Sequence, residues 1–176
     1  VALAFAASAQ AQTGGAAPPP DPSAPTLAPA PTGPPGRATL LPGGRAIAPA
    51  GAPAAVVNAI NAGNQIRKRP YVWGGGHGSF FSRGYDCSGS VSYVLHAAGY
   101  LSSPLPSGPL MSWGSPGLGS WISVFANRGH VFMTVAGLRF DTSSAGDPVR
   151  RRGTGPRWRS TIRPATGYVV RHIAGL

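Results

Sequence analysis

Two hydrophobic periods follow one another along the second half of the chain. Between Ala54 and Arg69 the apolar residues Val56, Val57, Ile60 and Ile66 share one helical face and Pro70 ends the run, so the spacing predicts a helix, weakened at Gly63. Tyr71-Val72-Trp73 then opens a glycine-rich loop that continues to Gly84. A second helical period follows, with Val91, Val94, Leu95 and Ala98 at i, i+3, i+4 and i+7, Asp86 placed to cap its start and Gly99 to stop it. Residues 100–119 are rich in Pro, Gly and Ser and predict a long loop, functional or mobile. Beyond it the period shortens. Trp121–Phe125 predicts a strand, and Val131–Val135 with Leu138–Asp141 predict the arms of a hairpin around Ala136-Gly137. Helices first and antiparallel strands after them indicate an α+β domain.

No such pattern precedes residue 54. Val1 to Ala11 are nearly all small or apolar and finish in Ala9-Gln10-Ala11, the small-x-small ending of a secretory signal peptide, so residues 1–11 are expected to be the remnant of one and the protein to be exported. Residues 12–53 are Pro, Ala, Gly, Thr and Ser, and 12 of the 20 prolines fall in residues 1–53. A segment of that composition buries too little apolar surface to offset its ordering entropy, which predicts a disordered, extended linker over 12–53 and one domain over 54–176.

Composition narrows the chemistry. No apolar stretch reaches the length of a membrane span. One cysteine, Cys87, excludes an internal disulfide and any zinc site with two thiolates, and no His-x-x-x-His pair occurs, so neither a metal nor a cofactor is expected. The only acids are Asp21, Asp86, Asp141 and Asp147, and Asp21 lies in the proline tract, which supplies a two-carboxylate glycosidase poorly. The glycine run lacks the Gly-Lys-Ser/Thr ending of a phosphate loop.

Cys87 stands in the first turn of the second helix, where unpaired N–H groups and the helix dipole favour thiolate over thiol. A nucleophile there needs a base, and His130 opens the hairpin. The histidine in turn needs a partner to fix its tautomer. If Ala136-Gly137 is a two-residue turn, Phe132 lies opposite Asp141, and His130 and Asp141 become diagonal neighbours on one face, with Cβ atoms within about 7–8 Å. In that register Val131, Met133 and Val135 make the buried face; a three-residue turn would move Asp141 to the other side. His96 is too far along the helix to reach the thiol, and His77, in the glycine run, could line the cleft, though a loop histidine without a role of its own is the first expectation.

Pro70-Tyr71-Val72-Trp73-Gly74-Gly75, Asp86-Cys87-Ser88-Gly89 opening a helix, Gly129-His130-Val131 opening a strand and a polar residue ending the next strand together resemble the NlpC-type (NlpC/P60) cell-wall endopeptidases, over residues 54 to 145. The resemblance implies a papain-like core in which the cysteine helix packs on a small antiparallel sheet. It implies Cys87 as nucleophile, His130 as base, Asp141 as the orienting third residue, and Tyr71 beside the cysteine. Asp86, Ser88 and Gly129, within the matching motifs, are expected at the substrate site. The implied substrate is the peptide stem of peptidoglycan, cut between D-glutamate and diaminopimelate. The chain departs from the family pattern in a longer loop between Tyr71 and Cys87, in Pro116-Gly117-Leu118-Gly119-Ser120-Trp121 before the strand that precedes the histidine, and in an aspartate at the third position.

The net charge is +11, and Arg150, Arg151, Arg152, Arg157, Arg159 and Arg163 cluster near the C-terminus around Trp158. For an exported protein the matching polyanions are wall polymers and stem-peptide carboxylates rather than nucleic acid. Two alternatives stand beside the endopeptidase: a catalytically inactive wall-binding domain on the same scaffold, and an amidase cutting the sugar–peptide bond.

Overall fold

The computed structural model describes residues 36–148 and 155–176. In chain order the elements are β1 (Thr39–Leu40), β2 (Ala46–Ile47), α1 (Ala54–Ile66), α2 (Cys87–Ala97), α3 (Ser107–Leu110), β3 (Ser115–Pro116), β4 (Ile122–Ala126), β5 (Val131–Val135), β6 (Leu138–Asp141), β7 (Arg157–Arg159) and β8 (Val169–His172). Strands β3 to β8 form one antiparallel sheet in the order β3-β8-β4-β5-β6-β7. Helices α1 and α2 pack on each other, and both touch β5. The fold is α+β.

The predicted hairpin forms in the two-residue register: Val135 pairs with Leu138 and Met133 with Phe140. Ala136 and Gly137 both have positive φ, 46° and 78°, the turn geometry whose twist matches that of two strands. Val131, Met133, Val135, Leu138 and Phe140 join Val124 and Ala126 of β4 in the apolar core under the helices. Trp158 pairs with Phe140 across β6 and β7, and its ring comes so close to α1 that a Cβ on Gly63 would stand 2.3 Å from Cζ2. Gly63 is therefore where the helix meets the sheet rather than a flaw in the helix.

α2 begins as its sequence predicts. Asp86 accepts the N–H of Gly89 at 2.7 Å. At the other end Gly99 donates to His96 O and Tyr100 to Leu95 O, with Gly99 at φ 90°, closing a Schellman motif.

Four expectations need correction. The linker does not run to residue 53: β1 and β2 form a small hairpin, Ala38 N–H bonds Ala136 O, and Asn64 of α1 holds both the N–H and C=O of Ala46 at 2.8 Å. A side-chain amide imitates a strand partner there, so the segment 36–53 gains contacts its composition does not advertise; residues 1–35 lie outside the described residues. The segment 100–119 is not one loop, since α3 and β3 interrupt it, and β3 exists because β8, far along the chain, pairs with it. Strands β7 and β8 had no local signal. Last, the hairpin is buried on both faces: Phe132, Arg139 and Asp141 are as inaccessible as Met133. The second face is closed by Phe125 stacked on Phe132 at 4.7 Å, by Tyr168 edge-on to Phe132 at 5.1 Å, and by Arg163 over both Phe132 and Tyr168.

Candidate active site

The site forms where the first turn of α2 meets the start of β5. Its own fold makes the thiol available: Asp86 caps the helix, leaving Cys87 in the first turn with its N–H unneeded by the helix. The turn before β5 is equally defined. Asn127 Oδ1 accepts the N–H groups of Gly129 (2.9 Å) and His130 (2.8 Å), and Asn127 N–H bonds His130 O. This turn presents the His130 ring to two partners, Asp141 on one side and Cys87 on the other.

His130 Nε2 donates to Asp141 Oδ1 at 2.9 Å. Burial alone would lower the imidazole pKa, but the hydrogen bonds to Asp141 and Cys87 and the negative charge of both outweigh it and lift the value to about 9. With Nε2 committed to Asp141, Nδ1 is left to exchange a proton with the thiol.

Asp141 is itself over-determined. Oδ1 also accepts Ser143 N–H at 2.8 Å, and Oδ2 faces Arg163 Nη1 at 3.3 Å and Arg139 Nε at 3.5 Å. Arg139, wholly buried, continues to Ala145 O and to Asp147, which also binds Arg159. Asp141 thus caps the turn that follows β6 through Ser143 N–H and at the same time faces His130, Arg139 and Arg163.

On the other flank of Cys87, Asp86 does more than cap. Its carboxylate takes the N–H of Gly74 at 3.1 Å, and His77 Nε2 lies 3.0 Å from it and 3.1 Å from Ser88 Oγ. Ser88 Oγ donates to Asp86 Oδ1 at 3.3 Å. Tyr71 stands near enough that burial first, then the charges of Cys87 and Asp86, raise its phenol pKa. A cleft of about 330 Å³ opens at Cys87, lined by Trp73, Gly74, His77, Asp86 and Ser88 from the glycine run and the start of α2 and by Pro106, Ser107, Arg128 and Gly129 from later in the chain.

Structure therefore brings Cys87, His130 and Asp141 into one chain of contacts, and sets Asp86, Ser88 and Gly129 in the cleft wall with Tyr71 beside it. His77 is corrected from an idle loop residue to part of that wall. His96 is exposed, stacked on Phe80 at 3.8 Å. The basic cluster is also corrected: Arg159 and Arg163 are spent on Asp147 and Asp141, while Arg150, Arg151 and Arg152 lie outside the described residues. Sequence reasoning missed Arg139, Arg163 and Tyr168. Arg139 carried a faint signal as the polar residue inside an apolar strand; the other two come from a segment without one. Among the described residues no group of three His, Cys, Asp or Glu side chains could hold a metal ion, and no helix is long and apolar enough to cross a membrane.

An NlpC/P60 family protein from Bacillus cereus is similar at 23% identity with a TM-score of 0.49, over 68% of this chain and 40% of its own. The Resuscitation Promoting Factor Interacting protein RipA, in a form mutated at one histidine, is similar at 26% identity with a TM-score of 0.47, over 68% of this chain and 62% of its own. The chain resembles the NlpC/P60 type. It spans less than two thirds of either NlpC/P60-type neighbour. No protein-family model matches the sequence, and no curated protein matches it.

Proposed function

We propose that the protein is a peptidoglycan hydrolase of the NlpC/P60 type, a cysteine endopeptidase acting outside the membrane on the stem peptides of the wall, at the bond between D-glutamate and diaminopimelate. The observation that carries this is the run of contacts Cys87–His130–Asp141, whose cysteine end lines an open cleft. A buried histidine that holds its proton up to about pH 9 is suited to pair with a thiolate and later to protonate a leaving amine.

The chemistry follows from the residues. Thiolate Cys87 attacks the scissile carbonyl carbon, and the carbonyl electrons move to oxygen. In this reading the backbone N–H of Cys87, free in the first helical turn, and the Tyr71 hydroxyl receive that oxyanion. The intermediate collapses with loss of the amine, which takes the proton of His130, leaving an acyl-thioester. Neutral His130 then draws a proton from water, whose oxygen attacks the thioester and releases the acid with the thiolate restored. Throughout, Asp141 keeps Nε2 protonated and the ring in place, and it is held still by Arg163, Arg139 and Ser143 N–H.

Digesting purified peptidoglycan and isolated stem peptides with the full chain, wild type beside Cys87→Ala, tests the proposal by mass spectrometry. Stem fragments from wild type alone, split between D-glutamate and diaminopimelate, are expected, with turnover by Cys87→Ala reduced at least about a thousandfold. Sugar chains freed of intact stems would make the protein an amidase instead. No product, with both proteins folded and retained on the wall, would leave a binding module.

A further inference from the structure

Acid is scarce in this protein, and what there is has been used. Among the described residues the carboxylates are Asp86, Asp141 and Asp147, and each is occupied: Asp86 by His77 and two backbone N–H groups, Asp141 by His130, Arg139 and Arg163, Asp147 by Arg139 and Arg159. Arg128 lines the cleft over Cys87, and among the described residues no carboxylate pairs with it. Its backbone is nonetheless held firmly. It stands in the turn that Asn127 ties to Gly129 and His130, Ser107 Oγ donates to its carbonyl at 3.3 Å, and Asn127 Nδ2 anchors the turn to Gly167 O. A rigid turn thus carries a guanidinium two residues before the base, in a cleft whose own carboxylate, Asp86, is already hydrogen-bonded to His77, Gly74 N–H and Gly89 N–H. Trp73, 85% exposed, also lines this cleft as a flat apolar surface beside which an extended peptide can lie.

We propose that Arg128 is a specificity-determining residue that takes a free carboxylate of the substrate residue adjoining the scissile bond. The inference rests on the peptidase proposal for the reaction and adds to it the charge the cleft selects. A guanidinium binds a carboxylate through two parallel N–H···O bonds, whereas a carboxamide offers only one acceptor oxygen and no charge. The protein therefore discriminates stems whose glutamate carboxyl is free from stems in which it is amidated.

Two stem peptides decide this, L-Ala-γ-D-Glu-diaminopimelate and the same peptide with the glutamate α-carboxyl amidated. The wild-type full chain is expected to favour the free acid roughly ten- to hundredfold in kcat/KM, the size expected of one charge-assisted pair. In Arg128→Gln that ratio collapses toward one, and Arg128→Lys recovers part of it. Raising the salt concentration shrinks the wild-type ratio and leaves that of Arg128→Gln where it is. An unchanged ratio in Arg128→Gln, or no preference in wild type, overturns the assignment. Should neither peptide be cleaved, the peptidase proposal fails by itself, and titrating both peptides into Cys87→Ala and Cys87→Ala/Arg128→Gln still decides. Tighter binding of the free acid, lost in the double variant, upholds Arg128; equal binding or none overturns it.

Discussion

The two faces of the β5–β6 hairpin are both largely buried and built from opposite materials. On one, Val131, Met133, Val135, Leu138 and Phe140 meet the helices, and burial is stabilising by its nature. On the other, His130, Arg139 and Asp141 lie with Phe132 beneath Tyr168 and Arg163, and each charge there is tolerable only because another stands against it. A change of shape on the apolar face costs packing and strands no charge. A charged face tolerates no loss of a partner. The candidate catalytic histidine sits on the second kind of face, where its position and protonation are set by neighbours that cannot relax away.

The contrast is broken most severely at Asp141. Asp141→Ala leaves the partly buried Arg163 without its acid, Arg139 with Asp147 alone, and His130 without its orienting partner. Stability is expected to fall by about 3–5 kcal/mol, read by denaturant unfolding, with turnover falling further than the folded fraction explains. Asp141→Asn separates the two effects: it keeps the shape, so turnover should fall by a larger factor than stability would require. A comparably large truncation on the apolar face should behave otherwise. Phe140→Ala is expected to cost about 3–5 kcal/mol through the cavity it opens, while turnover per folded molecule stays near wild type. If Phe140→Ala silences the site as thoroughly as Asp141→Asn, the two faces are not independent.

A smaller change sharpens the apolar side. Gly63→Ala drives a methyl group into the Trp158 ring, against which its Cβ has no room, and should destabilise by about 1–3 kcal/mol even though alanine is the better helix former. A gain in melting temperature would show that Trp158 can move. The gentlest probe is pH. The His130 pKa is raised from the ordinary value near 6.5 to about 9, so its pairing stabilises the fold fully below about pH 6.5 and this contribution is lost as pH climbs through 9. Melting curves of wild type and His130→Gln should therefore converge between pH 6.5 and 9, and turnover should decline above about 9 as His130 loses the proton it gives the leaving amine. Curves that stay parallel would mean that His130 does not titrate in this window.

How far the sequence alone reached differs between these regions for a physical reason. Both helices, the capping by Asp86, the stop at Gly99 and the two-residue turn at Ala136-Gly137 are short-range matters, settled by neighbours within one turn or one hairpin, and they were legible. The hairpin register carried the most, because it alone put Asp141 within reach of His130. What escaped were arrangements whose partners lie far apart in sequence. β8 slips between β3 and β4, β1 and β2 are held by an asparagine of α1, and Tyr168 and Arg163 close the charged face from a segment with no periodicity. His77 looked idle because nothing local says that the glycine run folds back onto Asp86.

Sequence by itself determined the α+β order, the helix that presents Cys87 and the hairpin that aligns His130 with Asp141, since local periodicity and turn chemistry act within a few residues. Tertiary structure alone decided which charges are spent on a partner and which of the others stand in the cleft. Pairing of buried ions depends on distances across elements, and only those distances show Asp141 locked between arginines while Arg128 faces the cleft with no carboxylate among the described residues to meet it.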